Sequence, residues 1–181
     1  MVAILAHVGQ GTNGLWAGLI HPLTGIDHLL AMVAVGILAA VVADRRVAWA
    51  TPAAFVGGMV LGGILGIAGV GAGFVETTIA VSVVALGGLI ALSLAPSVRI
   101  GRWVPTIALA FGAVHGIAHG NEVPHSAHPA MYVLGFVSAT IALHLSGVVI
   151  GTTVGKNTAV RATLAAALSV AGVAILAGAP I

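Results

Sequence analysis

The sequence predicts an all-α integral membrane protein of six transmembrane helices, the first kinked or broken near Pro22 and both termini on the outer side. Three observations carry this prediction. Of 181 residues, 60% are hydrophobic and only 6% charged, with a mean hydropathy of +1.19. A soluble domain carries roughly 25% charged residues, so too few polar side chains are available here to cover a water-facing surface. The apolar runs are continuous rather than alternating every second residue, which excludes β-barrel strands. Six runs also come close to or exceed the roughly 20 residues that a spanning helix needs.

Taken in order, residues 1–6 are apolar, lack a basic stretch and are too short for a complete signal peptide. They read as the remnant of one, with the mature chain starting near His7. The first span, 14–43, is too long for one straight crossing, and His21-Pro22 with Gly25 marks where it should break. Spans follow at 47–70, 75–96, 103–121, 129–153 and 162–179, in one transmembrane domain without a linker. Gly58, Gly62 and Gly66 lie four apart in the second span, as do Gly147, Gly151 and Gly155 at the end of the fifth. Such stripes let backbones approach closely and offer faces through which copies of the chain could form a homo-oligomer. Three spans plus three would be an inverted repeat; the similarity that suggests one is His-Pro at 21/22 and again at 128/129.

The basic residues set the orientation. Arg45 and Arg46 follow the first span, Arg99 and Arg102 the third, and Lys156 and Arg161 the fifth. By the positive-inside rule these loops face the cytoplasm. The loops 71–74 and 121–128 carry no Lys or Arg. The isoelectric point near 10 reflects a surplus of two charges on a nearly uncharged chain. There is no basic cluster, so nucleic acid is discarded as a partner. Absence of cysteine excludes thiolate metal sites and Cys nucleophiles together.

Eight histidines beside four acids therefore need explaining. Asp44 belongs with the basic loop, whereas Asp27, Glu76 and Glu122 fall in the outer half. Counting at about 1.5 Å per residue, Asp27 and His119 both stand roughly 24 Å from the cytoplasmic ends of their spans. A shared site between the first and fourth spans requires such a common level. His115, His119 and Glu122 follow i, i+4, i+7 on one helical face, and two histidines at i, i+4 can hold one cation. In a straight helix His21 and His28 would stand about 10.5 Å apart along the axis. A break between Pro22 and Gly25 would fold His21 back toward Asp27 and His28. Asp27 then acts either as a ligand or as the group that orients His28 or His119. Glu76, His7, His125 and His128 are candidates for capture or gating near the outer surface, and His144 is expected to make an interhelical hydrogen bond. The metal-binding set expected is His21, Asp27, His28, His115, His119 and Glu122.

At these residues the chain resembles a known family. Gly18 to Met32 contains an H-x5-D-H pattern, and Val114 to Glu122 is similar to F-H-G-x-A-H-G-x-E, with Val114 where the pattern has Phe. Together they resemble the HupE/UreJ family of nickel and cobalt permeases. The resemblance implies a multi-pass protein of the bacterial inner membrane that imports Ni2+, with Co2+ as a further substrate. It carries metal-binding roles over to the same six residues and, less directly, to Glu76. It also implies a cleaved signal peptide before an N-terminal histidine, comparable to Ala6-His7. Ligand chemistry alone would admit Cu2+ and Zn2+ as well. Histidines must be neutral to bind metal, so occupancy should fall as the external pH drops toward the ordinary imidazole value of about 6.5. The rival reading is a membrane-embedded metalloenzyme using the same His/carboxylate set.

Overall fold

A computed structural model describes residues 14–42, 44–71, 73, 75–95, 101–125 and 127–179. His7, Arg99 and the apolar residues 1–6 lie outside the described residues. Among the described residues the secondary structure is helical throughout: α1 (Gly14–Thr24), α2 (Ile26–Val41), α3 (Arg45–Ile67), α4 (Val75–Leu92), a 3₁₀ turn (Gly101–Trp103), α5 (Val104–Asn121), α6 (Pro129–Val154) and α7 (Thr158–Leu176).

The first span is broken, with an 84° turn between α1 and α2. The break falls at Gly25 and not at Pro22, which stays inside α1. Gly25 is extended (φ −92°, ψ 112°). The Thr24 hydroxyl donates to the His21 carbonyl at 2.8 Å, satisfying one of the acceptors left open at the end of α1. Other helix starts follow ordinary capping. The Asp44 carboxylate accepts from the amides of Arg46 and Val47 ahead of α3, and the Asn157 side chain accepts from Ala159 and Val160 ahead of α7.

Four helices, α3, α4, α6 and α7, are long and apolar enough to cross a membrane, and the bent α1/α2 pair makes up to five. The fourth predicted span forms α5 but falls below that apolarity, because it carries His115, His119 and Asn121. Its two histidines are buried inside the bundle. The exterior is apolar, with Leu61, Ile64, Leu145, Val149 and Val170 all more than half exposed. This suits a lipid-facing surface. α2 is the central helix, with Ala31, Met32, Ala34, Val35 and Leu38 fully buried.

Glycine contacts join several helix pairs, α1 to α6 among them through Gly18 and Gly135, and two longer seams run through the bundle. In the first, α3 and α5 run side by side: a Cβ added at Gly58, Gly62 or Gly66 would strike the carbonyl oxygens of Leu109, Ala113 and Ile117, and one at Gly112, Gly116 or Gly120 those of Phe55, Met59 and Gly63. In the second, α2 meets α6, with Gly36 on the His144 carbonyl and Gly147 on that of Val33. The stripes seen in the sequence are thus occupied within one chain.

The seams share a register: Thr51-x3-Phe55-x2-Gly58-x3-Gly62-x3-Gly66 on α3 matches Thr140-x3-His144-x2-Gly147-x3-Gly151-x3-Gly155 on α6. Exchanging α2, α3 and α4 with α5, α6 and α7 carries the α3/α5 seam onto α6/α2 and leaves α4 paired with α7. The paired residues ascend together along α3/α5 and along α2/α6, so the two helices of each seam run parallel, as an inverted three-helix repeat requires. The His-Pro pairs do not mark it; the threonine and glycine spacing does.

The two ends of the bundle differ. A guanidinium nitrogen of Arg161, in the first turn of α7, donates to the Ser93 carbonyl at 3.3 Å, just past the end of α4. This joins the ends where Arg45, Arg46, Arg102 and Lys156 also lie. At the opposite end the Asn121 amide donates to the Val70 carbonyl at 3.2 Å, and there the histidine motifs meet.

Candidate metal centre

The turn at Gly25 shapes one wall of the site. It brings the rings of His21 and His28 to 6.2 Å between centroids. A Cβ at Gly25 would lie 2.9 Å from Nδ1 of His28 and 3.1 Å from Oδ1 of Asp27, so glycine leaves room for that pair. Asp27 Oδ1 accepts the His28 amide at 2.8 Å and sits 2.7 Å from His28 Nδ1. With Nδ1–H donating to the carboxylate, His28 keeps a lone pair on Nε2. That buried nitrogen has no partner among the described residues. Asp27 therefore occupies the orienting position, one of its two expected roles.

The other wall comes from α5. His115 is fully buried, with Nδ1 2.8 Å from the Phe111 carbonyl and Nε2 unpartnered among the described residues. His119, 1% exposed, packs against Phe136 at 4.1 Å between centroids. The His28 ring lies 4.5 Å from that of His119 and 5.4 Å from that of His115, while His21 is 4.7 Å from His119. Four imidazoles from the first and fourth predicted spans thus form one contiguous group.

Glu122, just past the last residue of α5, closes the group at its exposed side. Its Oε2 is 2.9 Å from His21 Nε2 and 3.6 Å from His119 Nδ1. The imidazoles of His119 and His21 hold this carboxyl below the usual carboxylate range, so it presents a negative charge. One donor atom each from His21, His119 and Glu122 lies within 4.8 Å of the others. A cation bound at about 2.1 Å by nitrogen or oxygen separates opposed ligands by about 4.2 Å. The three atoms are already near that spacing.

His115 was expected to share a cation with His119; it stands outside this trio, a turn further along α5 from Glu122. Glu76 is exposed in the first turn of α4 and outside the trio, in a place where a carboxylate also complements the helix N-terminus. His125 and His128 are exposed in the loop before α6. His144 departs from expectation: it is buried, and neither ring nitrogen has a hydrogen-bond partner among the described residues. Sequence reasoning passed over Tyr132, whose buried ring lies 6.0 Å from that of His21, and Phe136. The available signal was a stripe at intervals of four on α6: Tyr132, Phe136, Thr140 and His144.

An apolar-surfaced helical bundle with nitrogen and carboxylate donors gathered near one end is a multi-pass membrane protein with an interior polar site. More narrowly, the chain belongs to the HupE/UreJ family, whose model, described as HupE / UreJ protein, matches residues 1–176. It is similar to Protein HupE of Rhizobium leguminosarum bv. viciae, with 43% identity over 176 residues that cover 96% of this chain and 90% of that protein. No solved structure matches the chain.

Proposed function

We propose that this protein is a permease that imports Ni2+, and Co2+ as a second substrate, across the bacterial inner membrane. The observation that carries the reading is the convergence of His21, His119 and Glu122 donor atoms within 4.8 Å. Membership of a family associated with nickel and cobalt transport supports it. In this reading six spans cross the membrane, with α1 and α2 as one broken span, α5 as an interior span, and both termini outside. The Arg-bearing end faces the cytoplasm.

The ion enters at the half-exposed Glu122, whose negative charge draws a divalent cation out of water. His21 and His119 replace part of its hydration shell. Asp27 holds His28 with Nε2 free to take the ion next, and His115, held by the Phe111 carbonyl, presents the following nitrogen. Such a ladder binds at each stage tightly enough to admit the ion and loosely enough to pass it on. Glu76, His125 and His128 serve as an outer collecting surface. Nitrogen and oxygen donors without thiolate suit a borderline divalent cation, and family membership favours nickel and cobalt within that class.

The test is reconstitution of the purified chain in liposomes, following entry of Ni2+, Co2+ and Zn2+. Entry of Ni2+ that is lost in His119→Ala and Asp27→Ala is the expected result. Normal entry through both variants would overturn the site, and turnover of an added substrate without metal flux would favour the metalloenzyme.

A further inference from the structure

His144 is a buried ionisable group that the outer cluster leaves unused. It is 3% exposed, and both ring nitrogens lack partners among the described residues. An unpaired polar atom inside a lipid-solvated bundle is costly, so it is kept for a reason. The repeat makes the anomaly sharper. Phe55 holds the equivalent place in the other half, and the two rings meet at 5.2 Å between centroids. Packing there is met by an aromatic ring, and in the second half the chain carries an imidazole instead.

One turn away on α6, fully buried Thr140 has its hydroxyl 3.0 Å from the Phe136 carbonyl, 3.3 Å from Met32 Sδ and 3.6 Å from Met59 Sδ. A hydroxyl owns one hydrogen. Donated to the carbonyl, that hydrogen leaves an oxygen and two thioether sulfurs from α6, α2 and α3 close together as acceptors. A cation satisfies such a cluster. His115, with its unpartnered Nε2, packs on Phe55 from α5, also at 5.2 Å. The unpartnered nitrogens of His28, His115 and His144 thus mark successive steps away from Glu122.

We propose that His144, Thr140, Met32 and Met59 form an inner cation-binding stage, separate from the outer His21/His119/Glu122 group. For its place along a route the stage rests on the permease reading; for its existence it rests on the buried donors alone. It contains no carboxylate, so it holds a divalent ion less firmly than the outer group and can release it inward. Thioether and imidazole donors favour borderline and soft cations over Mg2+ and Ca2+. The inner stage therefore adds discrimination that the carboxylate-bearing entrance lacks.

The experiment uses the full chain in lipid nanodiscs, with Ni2+ alone as probe: equilibrium dialysis for stoichiometry, nickel X-ray absorption for sulfur neighbours, and thermal unfolding. His144→Phe installs the residue that the other half already carries. It should fold at least as stably as the parent, bind one Ni2+ fewer per chain and lose the sulfur signal. His144→Leu gives the same comparison without a ring. The double change Met32→Leu with Met59→Leu should remove the sulfur signal while Ni2+ at the outer group persists. Unchanged stoichiometry in His144→Phe and His144→Leu overturns the inner stage and leaves the permease reading intact. A parent that binds both ions yet admits none into liposomes overturns the permease reading and leaves the inner stage standing.

Discussion

The two glycine seams use the same construction for different ends. Along α3/α5, glycines line both helices, three on each, and backbone meets backbone along the contact. Along α2/α6, α2 contributes Gly36, and the Cβ of a residue at Gly151 would meet Ala40 Cβ at 2.6 Å and the Ile37 carbonyl oxygen at 3.0 Å. The first seam is the longer run of glycines, and its α5 member carries His115 and His119 on the adjoining face. The second seam carries His144 where the first has Phe55. Packing repeats between the halves while chemistry does not. A helix whose polar side chains must stay at fixed depth needs a support that cannot slide, and interlocked backbones supply it.

The comparison breaks most severely if the chemistry on α5 is removed without touching the seam. Glu122→Ala takes away the one charge in the donor trio, and Ni2+ accumulation in cells should fall to background while membrane levels of the protein hold. Immunoblotting alongside metal content checks both. Gly62→Ala places a methyl group against the Ala113 carbonyl; overpacking of this kind costs about 1–3 kcal/mol, and the thermal midpoint in detergent should fall. Gly151→Ala should cost less, because its nearest contacts, Ala40 Cβ at 2.6 Å and the Ile37 carbonyl oxygen at 3.0 Å, are longer than the approach at Gly62. An equal loss from both would mean that the seams are equally tight. Gly25→Ala is allowed by its φ of −92° and should leave stability nearly unchanged. It crowds the Asp27–His28 pair, and a several-fold weaker Ni2+ affinity by calorimetry is expected. The smallest effect concerns neither seam. Asp44→Ala and Asn157→Ala each remove an N-cap worth about 1 kcal/mol, and uptake per folded molecule should be unaltered.

Much of the site could be read from residue spacing, because in a nearly uncharged chain each polar group inside a span is conspicuous. The common level of Asp27 and His119, counted along two helices, anticipated the contact now seen between the His28 and His119 rings. The i, i+4 spacing of His115 and His119 was misleading about which atoms converge. Both lie on one face, but the Glu122 carboxylate, just past the end of α5, stands beside His21 and His119 and leaves His115 outside. The break was placed between Pro22 and Gly25 and occurs at Gly25, since a proline can remain within a short helix whose end is set by the next residue free to turn extended. His144 was assigned a hydrogen bond that neighbouring helices do not provide, a matter of which side chains stand opposite it.

Composition and periodicity determined the helical membrane class and where the basic residues fall along the chain, because these depend on local solvation and on counting along one helix. Tertiary structure decided that Asp27 orients His28, that Glu122 joins His21 and His119, that the glycine stripes close within the chain, and that Phe55 and His144 meet. Those facts depend on the angle at Gly25 and on which backbone each glycine admits, and such relations arise between helices remote in sequence.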